Sequence, residues 1–371
     1  MIDSILGIAV IADIHWGASS VLTERLYANL LQYFIEDLKK RKPKIIVIAG
    51  DYWHMKLSLN STEASYGNAF INTLRSEFPE TYILLIKGTR AHDLNQLDLF
   101  KPFASKYFRV YETVTVDYIE DMRLLIIPEE YYQDKSVYDK YLNVSEKYDW
   151  VFFHGLFSHA GSYALTEGGR LNKICFDSKD FTNIVYGRVV GGHIHDPIVH
   201  SIVDYCGSFD RWRHGEELRK GFRYYQYDVS KRRLVSSEFI ENEGSAKFIT
   251  VPYEQVRGLS VDTLTAKITE LAKDVVSLRI KVSKTDDVIE QDLHNLLGIT
   301  FSLPNVILFK DRPSRMKTID EQKADEAQAE ERKKRIKRFD GMTFEEITIS
   351  YGKEQLGVSV SEQNISEALA G

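Results

Sequence analysis

Leu6-Gly-Ile-Ala-Val-Ile-Ala-Asp13-Ile-His15 is the stretch on which the fold turns. Its first seven residues are uncharged and nearly all apolar, as in a strand buried on both faces of a sheet. It ends in an acid and an imidazole two residues apart. The period of an extended strand end is two, so both side chains point the same way. The same grammar returns down the chain. Lys44–Ala49 runs into Gly50-Asp51, and Tyr82–Lys87 into Gly88-Thr89-Arg90-Ala91-His92-Asp93. Trp150–Phe153 runs into His154-Gly155, and Val185–Val190 into Gly192-His193-Ile194-His195. Ligand-bearing loops of open α/β sheets gather at the carboxyl ends of strands, so these distant segments are expected to converge.

Between the first two runs, Leu22, Leu26, Leu30, Phe34 and Leu38 recur every four residues over Leu22–Arg41. That pattern predicts an amphipathic helix, stopped by Pro43. Glu63–Phe78, with Tyr66, Phe70 and Leu74, predicts another; it is either packed on its own sheet or a surface for a second copy. Further strands are expected at Thr113–Tyr118, Arg123–Ile127, Ile198–Val203, Phe222–Val229 and Arg233–Ile240. The fold class is therefore α/β: two sheets flanked by helices, spanning residues 1–244.

A second unit, 245–312, reads as a small α/β domain: strand Phe248–Val251, helix Val261–Lys273, strand Ser277–Val282, helix Asp287–Leu297 stopped by Gly298, strand Val306–Phe309. Residues 313–340 are a charged linker. Within it, 321–338 hold five acids, seven bases and no large apolar residue except Ile336. A helix there would be polar all round. Residues 341–371 recover Met342, Phe344, Ile347, Tyr351, Leu356, Ile365 and Leu369, and Thr343 with Glu346 forms a capping box at the start of a helical tail.

Composition narrows the class. The 371 residues carry 48 Lys+Arg against 54 Asp+Glu, a net charge of −6, which excludes a chain held on nucleic acid by bulk charge alone. At 43% hydrophobic residues there is enough apolar surface for a real core. The two cysteines, Cys175 and Cys206, make neither a disulfide framework nor a zinc knuckle and fit a reducing compartment. No apolar run reaches the ~18 residues of a membrane span, and Ile5–Ala12 lacks the basic flank of a signal peptide. A cytoplasmic protein with no membrane partner is expected.

Imidazoles mixed with carboxylates suit Mn, Fe or Zn better than Ca or Mg, and the absence of thiolates excludes a structural zinc site. Taken in order, D-x-H, G-D, a Gly…His-Asp loop, His and G-H-x-H, these elements resemble the calcineurin-like metallophosphoesterase superfamily. Tyr205-Cys-Gly207-Ser208-Phe-Asp-Arg211, followed by Gly215-Glu216-Glu217 and Lys220-Gly221-Phe222, resembles the corresponding segment of the SbcD-type nuclease subunits of double-strand-break processing complexes, a group with bacteriophage members.

The resemblance implies a two-sheet metallophosphoesterase sandwich with a capping domain and two divalent ions, Mn2+ first and Mg2+ second. Asp13, His15, Asp51 and His195 would bind one ion; Asp51, His154 and His193 would bind the other, with Asp51 bridging. Such a pair can hold a hydroxide and neutralise charge building on a phosphodiester. His92 would be the catalytic acid, oriented by Asp93. The family's Asn ligand is replaced by Thr89, so Thr89, water or a loop carbonyl would complete the coordination of the second ion, and Arg90 could reach a substrate phosphate. His54 is read as a surface residue or a supporting neighbour of the ligands rather than a ligand, and His159 and His200 as ordinary loop and strand residues. His214 is read as either a DNA phosphate contact or a neighbour of a loop braced by Arg211 pairing with Glu216 and Glu217.

The implied activity is a metal-dependent DNA nuclease, exonuclease on duplex ends and endonuclease on single strands, in DNA repair and recombination. Its implied partners are DNA, a second copy of the chain, and an SbcC-like coiled-coil ATPase of the SMC family, which residues 341–371 would engage within a heterotetramer. The competing readings are a metallophosphatase or phosphodiesterase on small substrates, and a catalytically weakened repair scaffold.

Overall fold

The computed structural model describes residues 4–129, 134–160, 175–283, 286 and 288–310, and Met1–Lys310 forms one compact unit. The tail and linker expected at 313–371 lie outside the described residues.

Two six-stranded sheets dominate. In the first, the strand order is Arg233–Glu241, Gly221–Asp228, Ile5–Ile11, Ile45–Ala49, Tyr82–Ile86, Phe108–Tyr111. The last four run parallel, and Gly221–Asp228 pairs antiparallel to Ile5–Ile11. In the second, the order is Ile198–His200, Val203–Tyr205, Val189–Gly192, Trp150–His154, Met122–Ile127, Thr115–Ile119. Its four central strands are parallel.

The uninterrupted apolar runs are explained by burial on both faces. Ala9, Ile11, Ile46 and Ile48 face one core with the helices; Ile8, Val10, Ile45 and Val47 face another, shared with Leu124, Trp150, Phe152 and Val190 of the second sheet. Tyr225 and Tyr227 of the first sheet enter that shared core, and their hydroxyls donate to Asp204 (2.8 Å) and Asp149 (2.6 Å).

The helix expected over 22–41 comprises Thr23–Asn29, a π-helical stretch Leu30–Ile35, and Glu36–Arg41. A strict repeat of four would walk around a 3.6-residue helix by ~40° per step. The wider π turn offsets that drift, and Leu26, Leu30, Phe34 and Leu38 all stay buried. Lys42 ends the helix in left-handed backbone (φ 49°), just before Pro43. Helix Thr62–Glu77 buries Phe70 and Leu74 fully in its own core, so these two cannot present an outward surface to a second copy.

Two expectations of extent are corrected and one strand is added. Ile198–Val203 is not one strand: Ser201, at φ 56°, turns the chain between Ile198–His200 and Val203–Tyr205. Gly298 does not stop its helix, which spans Glu290–Ser302 and ends just before Pro304. Phe108–Tyr111 is a strand that alternation across four residues did not announce.

The third sheet is parallel, Phe248–Pro252, Ser277–Val282, Val306–Lys310, with its own core of Val251, Leu264, Ile268, Leu278, Ile280 and Leu296. It is tied to the larger sheets through Asp210, whose Oδ1 accepts from Ser245 Oγ (2.7 Å) and Ala246 N (2.6 Å). Among the described residues no helix is long and apolar enough to cross a membrane.

Candidate metal centre

Every parallel strand of the two large sheets that leads to the centre ends at the same edge. Ile5–Ile11 delivers Asp13 and His15; Ile45–Ala49 delivers Asp51; Tyr82–Ile86 delivers Thr89. From the second sheet, Trp150–His154 supplies His154 itself and Val189–Gly192 delivers His193 and His195. The chain must turn sharply there to aim these side chains. Asp13, His15, Asp51 and His193 all sit at positive φ (51°, 54°, 48° and 95°), a costly backbone for non-glycine residues that clusters at functional sites. Gly50 and Gly88 make room: a Cβ on Gly50 would lie 2.1 Å from His154 Nδ1, and one on Gly88 2.1 Å from the Asp51 amide.

Six of the expected residues come together in two clusters, Asp13–His15–His195 and Asp51–His154–His193. His15 Nε2 and His195 Nε2 are 3.0 Å apart. Asp51 Oδ2 stands between the clusters, 3.3 Å from His154 Nε2 and 3.9 Å from His15 Nε2. Backbone and side chains fix the tautomers. His154 Nδ1 donates to Ala49 O (2.8 Å) and His195 Nδ1 to Glu216 Oε1 (2.7 Å), which leaves each Nε2 facing the centre. Asp13 accepts from the His193 amide (3.0 Å), and Asp51 Oδ1 from the Thr89 amide (2.5 Å).

Electrostatics follow from burial. Desolvation holds His15 well below the ordinary imidazole range, so it is neutral and ready to donate a lone pair. Desolvation works the same way on His154, but the Asp51 carboxylate beside it outweighs burial and raises it to about 10. Burial raises Asp13, the nearby imidazoles only partly offsetting it. Two groups of convergent nitrogens and carboxylates, with ring orientations locked from behind, fit divalent cations.

His92 and Thr89 are also present. The His92 side chain is 27% exposed at the rim, with Nε2 3.9 Å from Asp51 Oδ2. Its expected partner is corrected: His92 Nδ1 donates to the carbonyl of His54. Asp93 instead accepts the amides of Trp53 (2.9 Å) and Gly88 (2.7 Å), clamping two ligand loops together. Burial and the charge of Asp51 push its carboxyl up to about 7. Arg90 is exposed at the start of the short helix Arg90–Asp93.

Glu129 escaped the reading of the sequence, and His54, expected at the surface or as a supporting neighbour of the ligands, stands in the site. His54 stacks on His92 (5.0 Å between centroids, 28°) and forms a cluster with His15 and His92. Glu129 lies just past the strand Met122–Ile127, and its Oε2 is 3.2 Å from His193 Nδ1. Glu129 follows a buried apolar run, as the other site residues do, so the signal was there. His54 carried none. His214 is committed elsewhere, to Thr250 Oγ1 (3.2 Å) and Ser277 Oγ (2.9 Å) of the third sheet. Arg211 braces its loop through the carbonyls of Glu216 (2.9 Å) and Leu218 (3.0 Å).

A family model for the calcineurin-like phosphoesterases matches residues 6–197, the span that carries all of these ligands. The chain belongs to that family. Solved structures similar to this phosphoesterase include YfcE, a phosphoesterase from E. coli (15% identity, 64% of this chain and 100% of that one, TM-score 0.30). Another is a protein from Thermus thermophilus (11% identity, 64% and 100%, TM-score 0.32). A third is a glutamine-dependent NAD+ synthetase from Acinetobacter baumannii (8% identity, 82% and 65%, TM-score 0.31). No curated protein matches the chain in sequence. Family membership makes the chain a metal-binding hydrolase of phosphoester bonds.

Proposed function

We propose that this phosphoesterase is an SbcD-type nuclease that hydrolyses DNA phosphodiesters in repair and recombination, at duplex ends and within single strands. In this reading it works as a dimer with an SbcC-like coiled-coil ATPase, engaged through residues 341–371, in the cytoplasm.

The observation that carries the proposal is the placement of Asp51 between two ligand clusters with His92 at the open rim. Divalent cations on these donors, Mn2+ in preference to Mg2+, would supply Lewis-acid stabilisation and a water of lowered pKa. Asp13, His15, His195 and Asp51 would hold one, and Asp51, His154 and His193 the other. The protein's own share is orientation and proton transfer. With His92 Nδ1 committed to the His54 carbonyl, Nε2 is the atom that gives a proton to the leaving oxygen. The Tyr205–Lys220 segment supports the finer reading. Glu216 holds His195, Lys220 Nζ donates to the His195 carbonyl (2.8 Å), and Asp210 anchors the third sheet. A single element thus couples a metal ligand to the added domain.

The test is Mn2+-dependent cleavage of linear duplex and single-stranded DNA by the wild type, His92→Ala and Asp51→Ala. His92→Ala is expected to keep metal and lose roughly 10²–10⁴-fold in rate. Asp51→Ala is expected to lose both. Wild-type cleavage of a generic phosphomonoester with no cleavage of DNA would replace the nuclease by a phosphatase.

A further inference from the structure

In the second sheet, Val189–Gly192, Trp150–His154 and Met122–Ile127 are consecutive parallel neighbours, with Gly192 paired to His154 and Phe153 to Ile127. Their ends therefore carry His193, His154 and Glu129 side by side. Glu129 is buried, and its Oε2 lies 2.9 Å from Thr89 Oγ1, 3.2 Å from His193 Nδ1 and 3.7 Å from His154 Nε2. Thr89 Oγ1 in turn is 3.1 Å from Asp51 Oδ2 and 3.5 Å from each of His154 Nε2 and His193 Nδ1. Four donor atoms from four other segments thus lie within 3.5 Å of the Thr89 hydroxyl oxygen.

We propose that Glu129 is a ligand of the second divalent cation, with the Thr89 hydroxyl beside it in the same shell. Three observations converge on this. The first is spacing. Donors ~2.1 Å from a shared ion stand about 3.0 Å apart in octahedral and about 3.4 Å apart in tetrahedral geometry. The contacts around Glu129 and Thr89 scatter about those values.

The second is composition. Thr89 has one hydroxyl proton for two carboxylates, Asp51 and Glu129, while the imidazole nitrogens facing them are themselves the donors a metal takes. A cation at the centre would satisfy both carboxylates and both imidazoles at once, which the single Thr89 proton cannot do. The third is charge. With Glu129, each ion receives two carboxylates and two imidazoles, Asp51 being counted in both. Three carboxylates against two dications leave a single positive charge, which one hydroxide or one phosphodiester anion neutralises. Three oxygen donors, from Asp51, Glu129 and Thr89, also favour Mn2+ or Mg2+ over Zn2+ at that position.

The inference rests on the two-ion reading above but is indifferent to whether DNA is the substrate. The experiment is Mn2+ titration of the full chain by calorimetry and by the EPR signal of free Mn2+, with thermal midpoints taken in EDTA. Wild type is expected to bind two ions. Glu129→Gln preserves size and hydrogen-bond acceptance but removes the charge. It is expected to keep one ion at wild-type affinity, weaken the other at least tenfold, and leave the EDTA midpoint unchanged. Glu129→Asp, which retains the charge on a shorter stem, is expected to fall between the two.

Two ions bound by Glu129→Gln with unchanged affinity would overturn the proposal and leave Glu129 a hydrogen-bond partner of Thr89. So would a lowered EDTA midpoint in Glu129→Gln together with wild-type ion binding in Glu129→Asp. One ion or none in the wild type would instead defeat the two-ion reading itself.

Discussion

Nδ1 of His195 donates a 2.7 Å hydrogen bond to Oε1 of Glu216, twenty-one residues away and outside both ligand clusters. Burial opposes the charge on Glu216, yet the His195 hydrogen bond and the Lys220 ammonium outweigh it and hold its carboxyl down at about 2. The imidazole is thereby fixed in the tautomer that points Nε2 at the metal position. Glu216 also lies 3.5 Å from Lys220 Nζ, which is fully buried.

Glu216→Ala is therefore expected to weaken the first ion and the rate about 10–100-fold, as loss of an orienting carboxylate does. It is also expected to destabilise the metal-free protein by about 1–3 kcal/mol, because buried Lys220 then keeps only the His195 carbonyl (2.8 Å) and the more distant Asp196 carboxylate (3.8 Å). Metal titration together with a denaturant melt in EDTA checks both. An unchanged first-site affinity would show that His195 needs no such support.

Asp93 and His92 are adjacent but should behave differently. Asp93→Ala leaves the buried amides of Trp53 and Gly88 without their acceptor, at a cost of about 2–5 kcal/mol. The variant is expected to melt earlier and to bind metal poorly, whereas His92→Ala melts like the wild type. Equal melting temperatures would restore Asp93 to the role of orienting its neighbour.

Metal uptake should displace a proton. His154 is raised to about 10 in the metal-free protein, so near pH 7 its imidazole is protonated against Asp51. An ion must replace that proton, and apparent affinity should fall by about tenfold per pH unit as pH drops below 10. Calorimetry in buffers of different ionisation enthalpy should report about one proton released at pH 7. The same shift has a sign for folding. A group raised above its unfolded value of about 6.5 adds stability that is complete below that pH and is lost as pH climbs through about 10. The melting temperature of the EDTA-treated protein is thus expected to decline above neutrality.

Asp117 ties the edge strand of one large sheet to that of the other, accepting from Arg109 and from the hydroxyl of Tyr111. Burial raises its carboxyl, but those two donors prevail and keep it below the ordinary value. Such a group stabilises above the unfolded carboxylate range, and the gain disappears as pH falls through the lowered folded value. Asp117→Asn is expected to flatten the acid limb of a stability profile and to cost on the order of 1 kcal/mol at pH 7, given partial solvent screening. An acid limb identical to wild type would assign acid sensitivity to other carboxylates.

How far the sequence carries depends on the residue. Strand runs such as Ile45–Ala49 were legible because burial on both faces forces an unbroken apolar string. The residues after them were legible because D-x-H and H-x-H leave a sheet together. Phe108–Tyr111 was not: at the edge of its sheet it alternates Phe-Arg-Val-Tyr, which a loop can also do. The Gly298 stop failed because helix–sheet packing of Leu296 and Ile299 outweighs the roughly 1 kcal/mol cost of one helical glycine.

What the linear order determined by itself is the set of strands and the chemistry waiting at their ends, since both are local properties of burial and residue type. Only the tertiary structure decided which side chains share an atom's neighbourhood. It brought Glu129 to His193, gave His92 to the carbonyl of His54 and turned Asp93 onto two backbone amides. Those pairings depend on strand order and on four left-handed backbone turns, and no spacing along the chain encodes the distance between the ends of neighbouring strands.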